Sequence, residues 1–283
     1  MNPTKKALII GCGYLGVRIG QRLREGGYDV HATTRRRERL ETLSRQGFQA
    51  VIFDLQNGAG HRIFQTRYDT VVYAVAPGRD GDPRLAFVDG LQDCLQSLRS
   101  LPPDCFVFLS STGVYGQDDG AWVDEESPTH PKAVRPRILV DGEQLVLRSA
   151  QKKEVNGVVL RLAGLYGPSR SPVAWCQSPE WRERLARGNA EHFMNWVHAD
   201  DAAQAAILAA EVGHAGEVYI IVDNEPVRRE SFYGSACQQS SAPPLELTSD
   251  SERLGKRCSN NKAREQLGFE PQYPSYREGL AAL

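Results

Sequence analysis

A glycine-rich segment near the N-terminus has the spacing of a phosphate-binding loop. Residues Gly11–Gly16 read Gly-Cys-Gly-Tyr-Leu-Gly, the pattern G-x-G-x-x-G. In such a loop the first glycine makes a tight turn, the second lets the backbone approach a pyrophosphate, and the third lets a helix pack on a strand. The N-terminus of the following helix adds N–H groups and a positive dipole end. We therefore expect a dinucleotide to be bound by the loop and the helix start: Gly11, Gly13, Tyr14, Leu15 and Gly16.

The residues on either side of this loop support the interpretation. Ala7–Ile10 is a short apolar run typical of a buried strand, and Leu15, Ile19 and Leu23 recur at the spacing of an amphipathic helix. Without a strand before it and a helix after it, the pattern would suit an ordinary glycine-rich loop equally well. The context therefore favours the dinucleotide site.

Basic residues after the second predicted strand indicate which dinucleotide is bound. NAD-binding proteins carry an Asp or Glu there, about 20 residues beyond the loop, to hold the ribose 2′-hydroxyl. Here Thr33–Arg37 reads Thr-Thr-Arg-Arg-Arg, without a carboxylate. Guanidinium groups bind a 2′-phosphate bidentately, so we expect NADP(H) in preference to NAD(H), with Thr34, Arg35 and Arg36 in the site. The alternative is a solvated helix start, since 27 of the 34 basic residues are Arg.

Apolar runs alternate with amphipathic segments through the first part of the chain. The predicted strands are Ala7–Ile10, Tyr28–Thr33, Phe48–Phe53, Thr70–Ala76, Cys105–Leu109 and Gly157–Leu162. Continuous apolar strands separated by helices predict an α/β fold of the Rossmann type, a doubly wound parallel sheet covered on both faces. Ligands of such sheets lie at the carboxyl ends of the strands.

The pattern changes after residue 164, where clear periodicity is lost. We expect a dinucleotide-binding Rossmann domain made of residues 1–164 and 197–222. Residues 165–196 and 223–283 are expected to form a smaller C-terminal lobe that holds the substrate. Within that lobe, the polar stretch from residue 243 to residue 260 is typical of a loop.

Polar residues near the end of the chain predict where helices begin and end. Asp200 is expected to cap an alanine-rich helix, and Asn260 to cap a helix that ends at Gly268. Ser275 and Glu278 have the spacing of a capping box.

The overall composition excludes several classes of protein. The chain has 283 residues, with 34 basic and 35 acidic side chains, so no broad basic surface is available for nucleic acid or anionic membranes. No apolar run approaches the ~20 residues that span a bilayer, and the N-terminal apolar run is too short for a signal peptide. Six scattered cysteines without a CxxC pair indicate reduced thiols and a cytoplasmic location. His198 and Asp200 have a spacing that a metal could use, but no further ligands accompany them, so no metal is expected.

Beyond the glycine loop, several motifs resemble those of the extended short-chain dehydrogenase/reductase family, the nucleotide-sugar epimerases and dehydratases. These motifs are Asp54-Leu55, Ala74–Pro77, Leu109–Gly116 (Leu-Ser-Ser-Thr-Gly-Val-Tyr-Gly), Asp124-Glu125 with Pro128 and Pro131, Arg161–Gly167 and Val197–Asp201. The resemblance covers nearly the whole chain, although the glycine spacing is more similar to the atypical branch of the superfamily. It implies an NAD(P) cofactor and a small-molecule substrate, a nucleotide-sugar or another carbonyl or hydroxyl compound. It also implies cofactor contacts by Asp54, Leu55, Ala74 and Ser110.

The same resemblance implies a catalytic site that departs from the family pattern. In the family a tyrosine is the general acid/base, a lysine four residues later lowers its pKa, and a Ser or Thr polarises the reacting oxygen. The Ser/Thr position is Ser111 here. The tyrosine and lysine positions, counted back from Glu143, hold Arg135 and Leu139, and none of the ten tyrosines has a lysine four residues on.

Two functions of different class therefore remain open. The first is an NADP(H)-dependent oxidoreductase or epimerase-like enzyme, which either uses a relocated acid/base or acts on a substrate that needs little proton assistance. Its candidate catalytic residues are Ser111 and Tyr115. Tyr166 is a further candidate, and Arg135 could assist either tyrosine. The second is a catalytically silent NADP(H)-binding sensor or regulatory protein, in which the cofactor is bound without being consumed.

Overall fold

The protein is built from short strands and helices that alternate along the chain. The computed structural model describes residues 4–58, 60–78, 81–248 and 252–283. The strands of these residues are β1 (Lys6–Ile10), β2 (Asp29–Thr34), β3 (Gln49–Ile52), β4 (Thr70–Tyr73), β5 (Cys105–Ser111), β6 (Asp119–Val123), β7 (Gly157–Leu162), β8 (Gly164–Tyr166), β9 (Phe193–Met194), β10 (Trp196–His198), β11 (Val218–Ile221), β12 (Val227–Arg228) and β13 (Gly255–Cys258).

The helices of the same residues fill the connections between these strands. They are α1 (Tyr14–Glu25), α2 (Glu38–Arg45), α3 (Gly90–Leu98), α4 (Val134–Gln151), α5 (Pro172–Gln177), α6 (Pro179–Ala186), α7 (Ala199–Val212), α8 (Arg229–Gln239), α9 (Asn261–Leu267) and α10 (Tyr276–Ala281). None of the described helices is long and apolar enough to cross a membrane.

Seven strands form one sheet in the order β3-β2-β1-β4-β5-β7-β11. The pairs of β1 with β2 and β4, of β2 with β3, and of β4 with β5 are all parallel. Every residue of β4 and β7 is buried, as expected for strands covered on both faces. The predicted doubly wound α/β fold is confirmed. The fourth strand ends at Tyr73, earlier than predicted. The next N–H, of Ala74, still donates to the Ile10 carbonyl of β1 at 2.8 Å.

Close packing of α4 against the segment that precedes α3 depends on one glycine of α4. A π-helical turn at Leu85–Asp89 precedes α3, and α4 packs against this turn. A Cβ on Gly142 would lie 2.3 Å from the Phe87 carbonyl oxygen. Any larger residue at position 142 would therefore push α4 away from the turn.

The chain divides into two compact units. Unit 1 contains Met1–Val114, Lys132–Arg161 and Ala203–Tyr219, and unit 2 contains Tyr115–Pro131, Leu162–Ala202 and Ile220–Leu283. Unit 2 holds two small sheets, of order β12-β9-β13-β6 and β10-β8. The prediction of a loop up to residue 260 is wrong at β13, which pairs in parallel with β6 more than a hundred residues earlier in the chain.

The predicted helix ends near the C-terminus are correct in part. The Ser275–Glu278 capping box is present, and α9 ends at Gly268 in the left-handed conformation. The predicted side-chain cap by Asn260 is wrong, because its amide nitrogen donates instead to the Val222 carbonyl at 3.0 Å. The predicted cap by Asp200 is also wrong, because α7 already begins at Ala199.

Candidate functional site

The glycine loop is fixed to the neighbouring strand β2 by hydrogen bonds. The Gly11 N–H donates to Thr33 Oγ1 at 2.9 Å, and the Cys12 N–H donates to the Thr33 carbonyl at 2.9 Å. Gly11 has a φ of +86°, and a Cβ there would lie 2.9 Å from the Val75 backbone. Only glycine tolerates both the left-handed conformation and this approach to the segment after β4.

The other two glycines of the loop have different surroundings. A Cβ on Gly13 would meet only the Gly11 carbonyl oxygen, at 3.9 Å, so open space lies above the start of α1. A Cβ on Gly16 would lie 2.8 Å from that oxygen and 3.1 Å from Ile9 Cγ2. Helix α1 has no side-chain cap and no acidic residue in its first turn. Its N-terminus therefore presents an uncrowded, electropositive surface suited to phosphate groups.

This difference in surroundings predicts that alanine substitutions at Gly16 and Gly13 have unequal effects on stability. Gly16→Ala is expected to lower the free energy of unfolding by about 1–3 kcal/mol, because the methyl group must displace α1 from β1. Gly13→Ala is expected to change it by less than about 0.5 kcal/mol, because its methyl group enters open space. Urea unfolding of the two variants measures the contrast, and equal losses would contradict it.

The residues after β2 form a basic segment next to this loop. Thr34 is buried, and its hydroxyl accepts from the Arg36 N–H at 3.1 Å, while the side chains of Arg35 and Arg36 are exposed. Burial raises the pKa of the Cys12 thiol to about 12, and the nearby Arg39 guanidinium opposes this rise. Arg39, in the first turn of α2, is therefore a further cation near Cys12. Sequence analysis missed it, although it stands four residues after Arg35.

Two of the remaining predicted cofactor residues make contacts within the protein. The Asp54 carboxylate accepts from the Gln56 N–H at 3.0 Å and so closes its own turn. A Cβ on Gly90 would lie 2.8 Å from Leu55 Cδ1, so the Leu55 side chain packs on the start of α3. Ala74 lies directly beside the glycine loop, since its backbone carbon would be 3.0 Å from a Cβ on Gly11.

A buried polar triad joins β5, α4 and β7. The Ser110 hydroxyl donates to Glu143 Oε1 at 2.5 Å, and Arg161 donates to the same carboxylate from Nε at 3.1 Å and from Nη2 at 2.8 Å. Glu143 is 1% and Arg161 5% exposed. The hydroxyl proton of Ser110 is thus used by Glu143, and a cofactor contact of Ser110 stays a prediction.

Ser111 ends β5 and retains a hydrogen to donate. Its Oγ accepts from the Gly113 N–H at 3.1 Å. A hydroxyl that accepts one hydrogen bond keeps its own proton for another partner. Helix α4 packs against the turn Thr112–Val114 that follows. The hydroxyl therefore lies at a carboxyl strand end, on a segment held by α4, as expected for a group that polarises a substrate oxygen.

The two positions at which the resemblance expects the tyrosine and lysine have no acid/base group. Arg135 is exposed, and its Nη2 donates to the Pro77 carbonyl at 3.0 Å. Leu139 is buried. A guanidinium stays protonated at neutral pH, so Arg135 can bind and orient an anion but cannot exchange a proton.

The two candidate tyrosines lie in unit 2 and are both buried. Tyr115 is 3% exposed and Tyr166 is 0% exposed. Burial raises the pKa of Tyr166 well above its usual value, and a Cβ on Gly279 would lie 1.7 Å from its hydroxyl oxygen. Its ring is edge-on to those of Trp196 and His198. These features are typical of a core residue and disfavour Tyr166 as an acid/base.

The structure gives His198 a structural partner. Its Nδ1 accepts from the Asp200 N–H at 3.3 Å, and its ring lies 4.0 Å from that of Tyr273. Within the described residues, no group of three or more His, Cys, Asp or Glu side chains could hold a metal ion.

A parallel doubly wound sheet with a glycine loop at the start of α1 defines a Rossmann-type fold. The chain belongs to the NAD dependent epimerase/dehydratase family, which it matches over residues 7–222. It is similar to Protein YeeZ of Escherichia coli (strain K12), with 26% identity over 95% of this chain and 97% of that protein.

Solved structures agree with this assignment. A conserved protein of unknown function from Silicibacter pomeroyi DSS has 28% identity and a TM-score of 0.76, covering 99% of this chain and 98% of that one. The UDP-glucuronic acid 4-epimerase of Bacillus cereus, solved in complex with NAD, has 21% identity and a TM-score of 0.79 over 98% and 96% of the two chains. This second likeness concerns the fold alone.

Proposed function

We propose that the protein is an NADP(H)-dependent oxidoreductase of the epimerase/dehydratase type with an atypical catalytic site. The observation that carries the proposal is the open, electropositive start of α1 beside a basic segment. Arg35, Arg36 and Arg39 follow β2, and no carboxylate stands at the end of that strand. Arginines at this place suit a 2′-phosphate, whereas NAD-binding proteins place an acid there.

The proposed catalytic group is Ser111, which would hold the reacting oxygen of the substrate. Tyr115 is the remaining candidate acid/base of the motif. Losing a dedicated acid/base costs on the order of 10²- to 10⁴-fold in rate, so the substrate should need little proton assistance from the protein. A nucleotide-sugar or another carbonyl or hydroxyl compound is the proposed substrate class. Residues 165–196 and 223–283, all in unit 2, are the proposed substrate lobe.

Titration of the two reduced coenzymes tests the cofactor. The intrinsic fluorescence of NADPH and NADH is expected to give at least about tenfold tighter binding of NADPH, since a charge-assisted bidentate contact is worth about 1.5–3 kcal/mol. Replacing both Arg35 and Arg36 by alanine should remove most of that preference. Gly13→Ala should weaken both coenzymes, because its methyl group occupies the pyrophosphate approach.

A matched control comes from the same helix region. Arg45→Ala removes an exposed arginine that pairs with Glu41 at the far end of α2, so its coenzyme preference should equal that of the unchanged protein. A clear preference for NADH, or an equal loss in the Arg45 variant, would refute the NADP(H) assignment.

The second candidate function is a catalytically silent NADP(H)-binding sensor. It is favoured by one observation, the presence of Arg135 and buried Leu139 at the positions of the family's tyrosine and lysine. The two functions differ in turnover. An enzyme should oxidise NADPH with some carbonyl substrate and lose that activity on Ser111→Ala, whereas a sensor should bind NADPH tightly and consume none.

A further inference from the structure

The guanidinium of Arg135 lies at the carboxyl edge of the sheet, the edge at which doubly wound sheets bind their ligands. Its Nη2 donates to the carbonyl of Pro77, four residues beyond the end of β4. The segment between the end of β4 and Pro77 lies against the glycine loop, because the Val75 backbone would lie 2.9 Å from a Cβ on Gly11. One short piece of chain therefore borders the proposed dinucleotide site at Val75 and carries the Arg135 contact at Pro77.

Ser111 lies on the strand next to this segment. Strands β4 and β5 are neighbours and parallel, with Tyr73 opposite Phe108, so the residues that follow them leave the same edge of the sheet. Helix α4, which carries Arg135 in its first turn, packs against the turn that follows Ser111. Arg135 and Ser111 thus belong to the same carboxyl edge, where doubly wound sheets bind their ligands.

The charge of Arg135 has no acidic partner in the part of the chain that the structure describes. Its hydrogen bond to Pro77 goes to a neutral carbonyl, and a guanidinium offers five N–H donors in a planar fork. By contrast, Arg161 of the same unit is fully paired with Glu143. The remaining donors of Arg135 match the two oxygens of a carboxylate, and a single positive charge balances a single carboxylate.

We propose that Arg135 binds a carboxylate of the substrate, so that the protein acts on carbonyl compounds that carry an acid group. This inference rests on the proposed NADP(H)-dependent function and names its substrate class. In the reduction, bound NADPH would supply a hydride to the carbonyl carbon, and a water molecule would supply a proton to the carbonyl oxygen. The products would be an alcohol, NADP⁺ and a hydroxide ion that the solvent buffers. Ser111 holds that oxygen, and Arg135 fixes the acid group beside it.

Two matched pairs of probes test the proposal on the NADP⁺-loaded protein. They are pyruvate against methyl pyruvate, and UDP-glucuronate against UDP-glucose, with binding of all four measured by calorimetry. Turnover of the two carbonyl compounds, pyruvate and methyl pyruvate, is measured separately on the NADPH-loaded protein by the loss of NADPH absorbance. In at least one pair the acid is expected to bind at least about tenfold more tightly than its neutral partner. Arg135→Ala should abolish this discrimination, and Arg135→Lys should retain part of it.

Arg137→Ala is the matched control, because Arg137 is an exposed arginine of the same helix two residues on and so points to another face. The Arg137→Ala variant should prefer the acid over its neutral partner as strongly as the unchanged protein does.

Equal binding of both members in both pairs, or discrimination that survives in Arg135→Ala, would overturn the inference. Coenzyme titration of the same variants separates the two failures. If NADPH still binds tightly, the proposed function stands without the substrate class, and if the unchanged protein binds no NADPH, the proposed function itself fails.

Discussion

Replacing Arg161 by leucine is expected to lower the free energy of unfolding by about 3–5 kcal/mol, because the substitution leaves a buried carboxylate without its partner. Glu143 is 1% exposed and receives hydrogen bonds from both Arg161 and Ser110. After the substitution, the Ser110 hydroxyl is the one remaining hydrogen-bond donor to that charge among the described residues. Urea unfolding followed by circular dichroism, extrapolated linearly to water, measures the loss.

Two further variants test whether the loss of stability is specific to the buried ion pair or common to any ion pair. Arg99→Leu removes an exposed arginine that contacts Glu154 at 2.7 Å, and it should cost less than about 1 kcal/mol. The double substitution of Glu143 and Arg161 by leucine should cost less than Arg161→Leu alone, since it leaves no buried charge behind. If Arg161→Leu is no more harmful than Arg99→Leu, the triad does not stabilise unit 1.

The triad also has a consequence for the proposed site. Ser110 is the neighbour of Ser111, and Glu143 stands about two helical turns after Arg135 on α4. By joining these two elements to β7, the triad fixes the distance between the strand end and the helix. The triad thereby sets the geometry in which Ser111 and Arg135 are proposed to act.

The sheet and the glycine loop were predictable because their signals are local. Strands such as β4 and β7 are mostly apolar and are buried on both faces, and the three glycines stand between a strand and an amphipathic helix. The residues after β2 were equally visible as a basic run. What the run could not reveal is that Arg39 acts on Cys12, since that depends on how α2 packs.

The small sheets of unit 2 could not be predicted for a physical reason. Strands β9 and β12 have two residues each, too few for any periodicity, and β13 finds its partner β6 far away in the sequence. Asn260 illustrates the same limit. Its side chain could satisfy a local helix end, but the carbonyls of Val222 and Asp223 and the amide oxygen of Asn224 compete for its nitrogen. Residues distant in the sequence decide which strands pair and which atoms the Asn260 side chain contacts, and a local sequence pattern does not reveal those residues.

Asp223 makes the stability of unit 2 depend on pH. It is 2% exposed, and its Oδ1 accepts from the Glu225 N–H at 3.1 Å. Among the described residues its Oδ2 is buried without a hydrogen-bond partner. Burial, and secondarily the nearby carboxylates of Glu225, Asp201 and Glu278, raises the pKa of Asp223 from 3.8 to about 8. The folded unit therefore holds this carboxyl protonated at neutral pH.

The sign of the pH effect follows from this raised pKa. Between pH 3.8 and about 8 the folded state binds a proton that the unfolded state has released, so the free energy of unfolding falls as the pH rises. The contribution is complete below pH 3.8 and is lost above about pH 8. At ~1.4 kcal/mol for each pKa unit, the whole window is worth on the order of 5 kcal/mol.

Asp223→Asn is expected to remove this fall, because an amide keeps the oxygen that accepts from Glu225 and carries no titrating proton. All four tryptophans of the chain (Trp122, Trp175, Trp181 and Trp196) lie in unit 2, so tryptophan fluorescence in urea reports its unfolding. From pH 5 to pH 7, below the raised pKa, the slope of the unchanged protein should be more negative than that of Asp223→Asn by about 1.4 kcal/mol per pH unit. Glu246→Gln, at an exposed carboxyl of the same unit, should keep the original slope. Identical slopes for Asp223→Asn and the unchanged protein would mean that Asp223 is ionised in the folded state and that its burial is offset by contacts formed on ionisation.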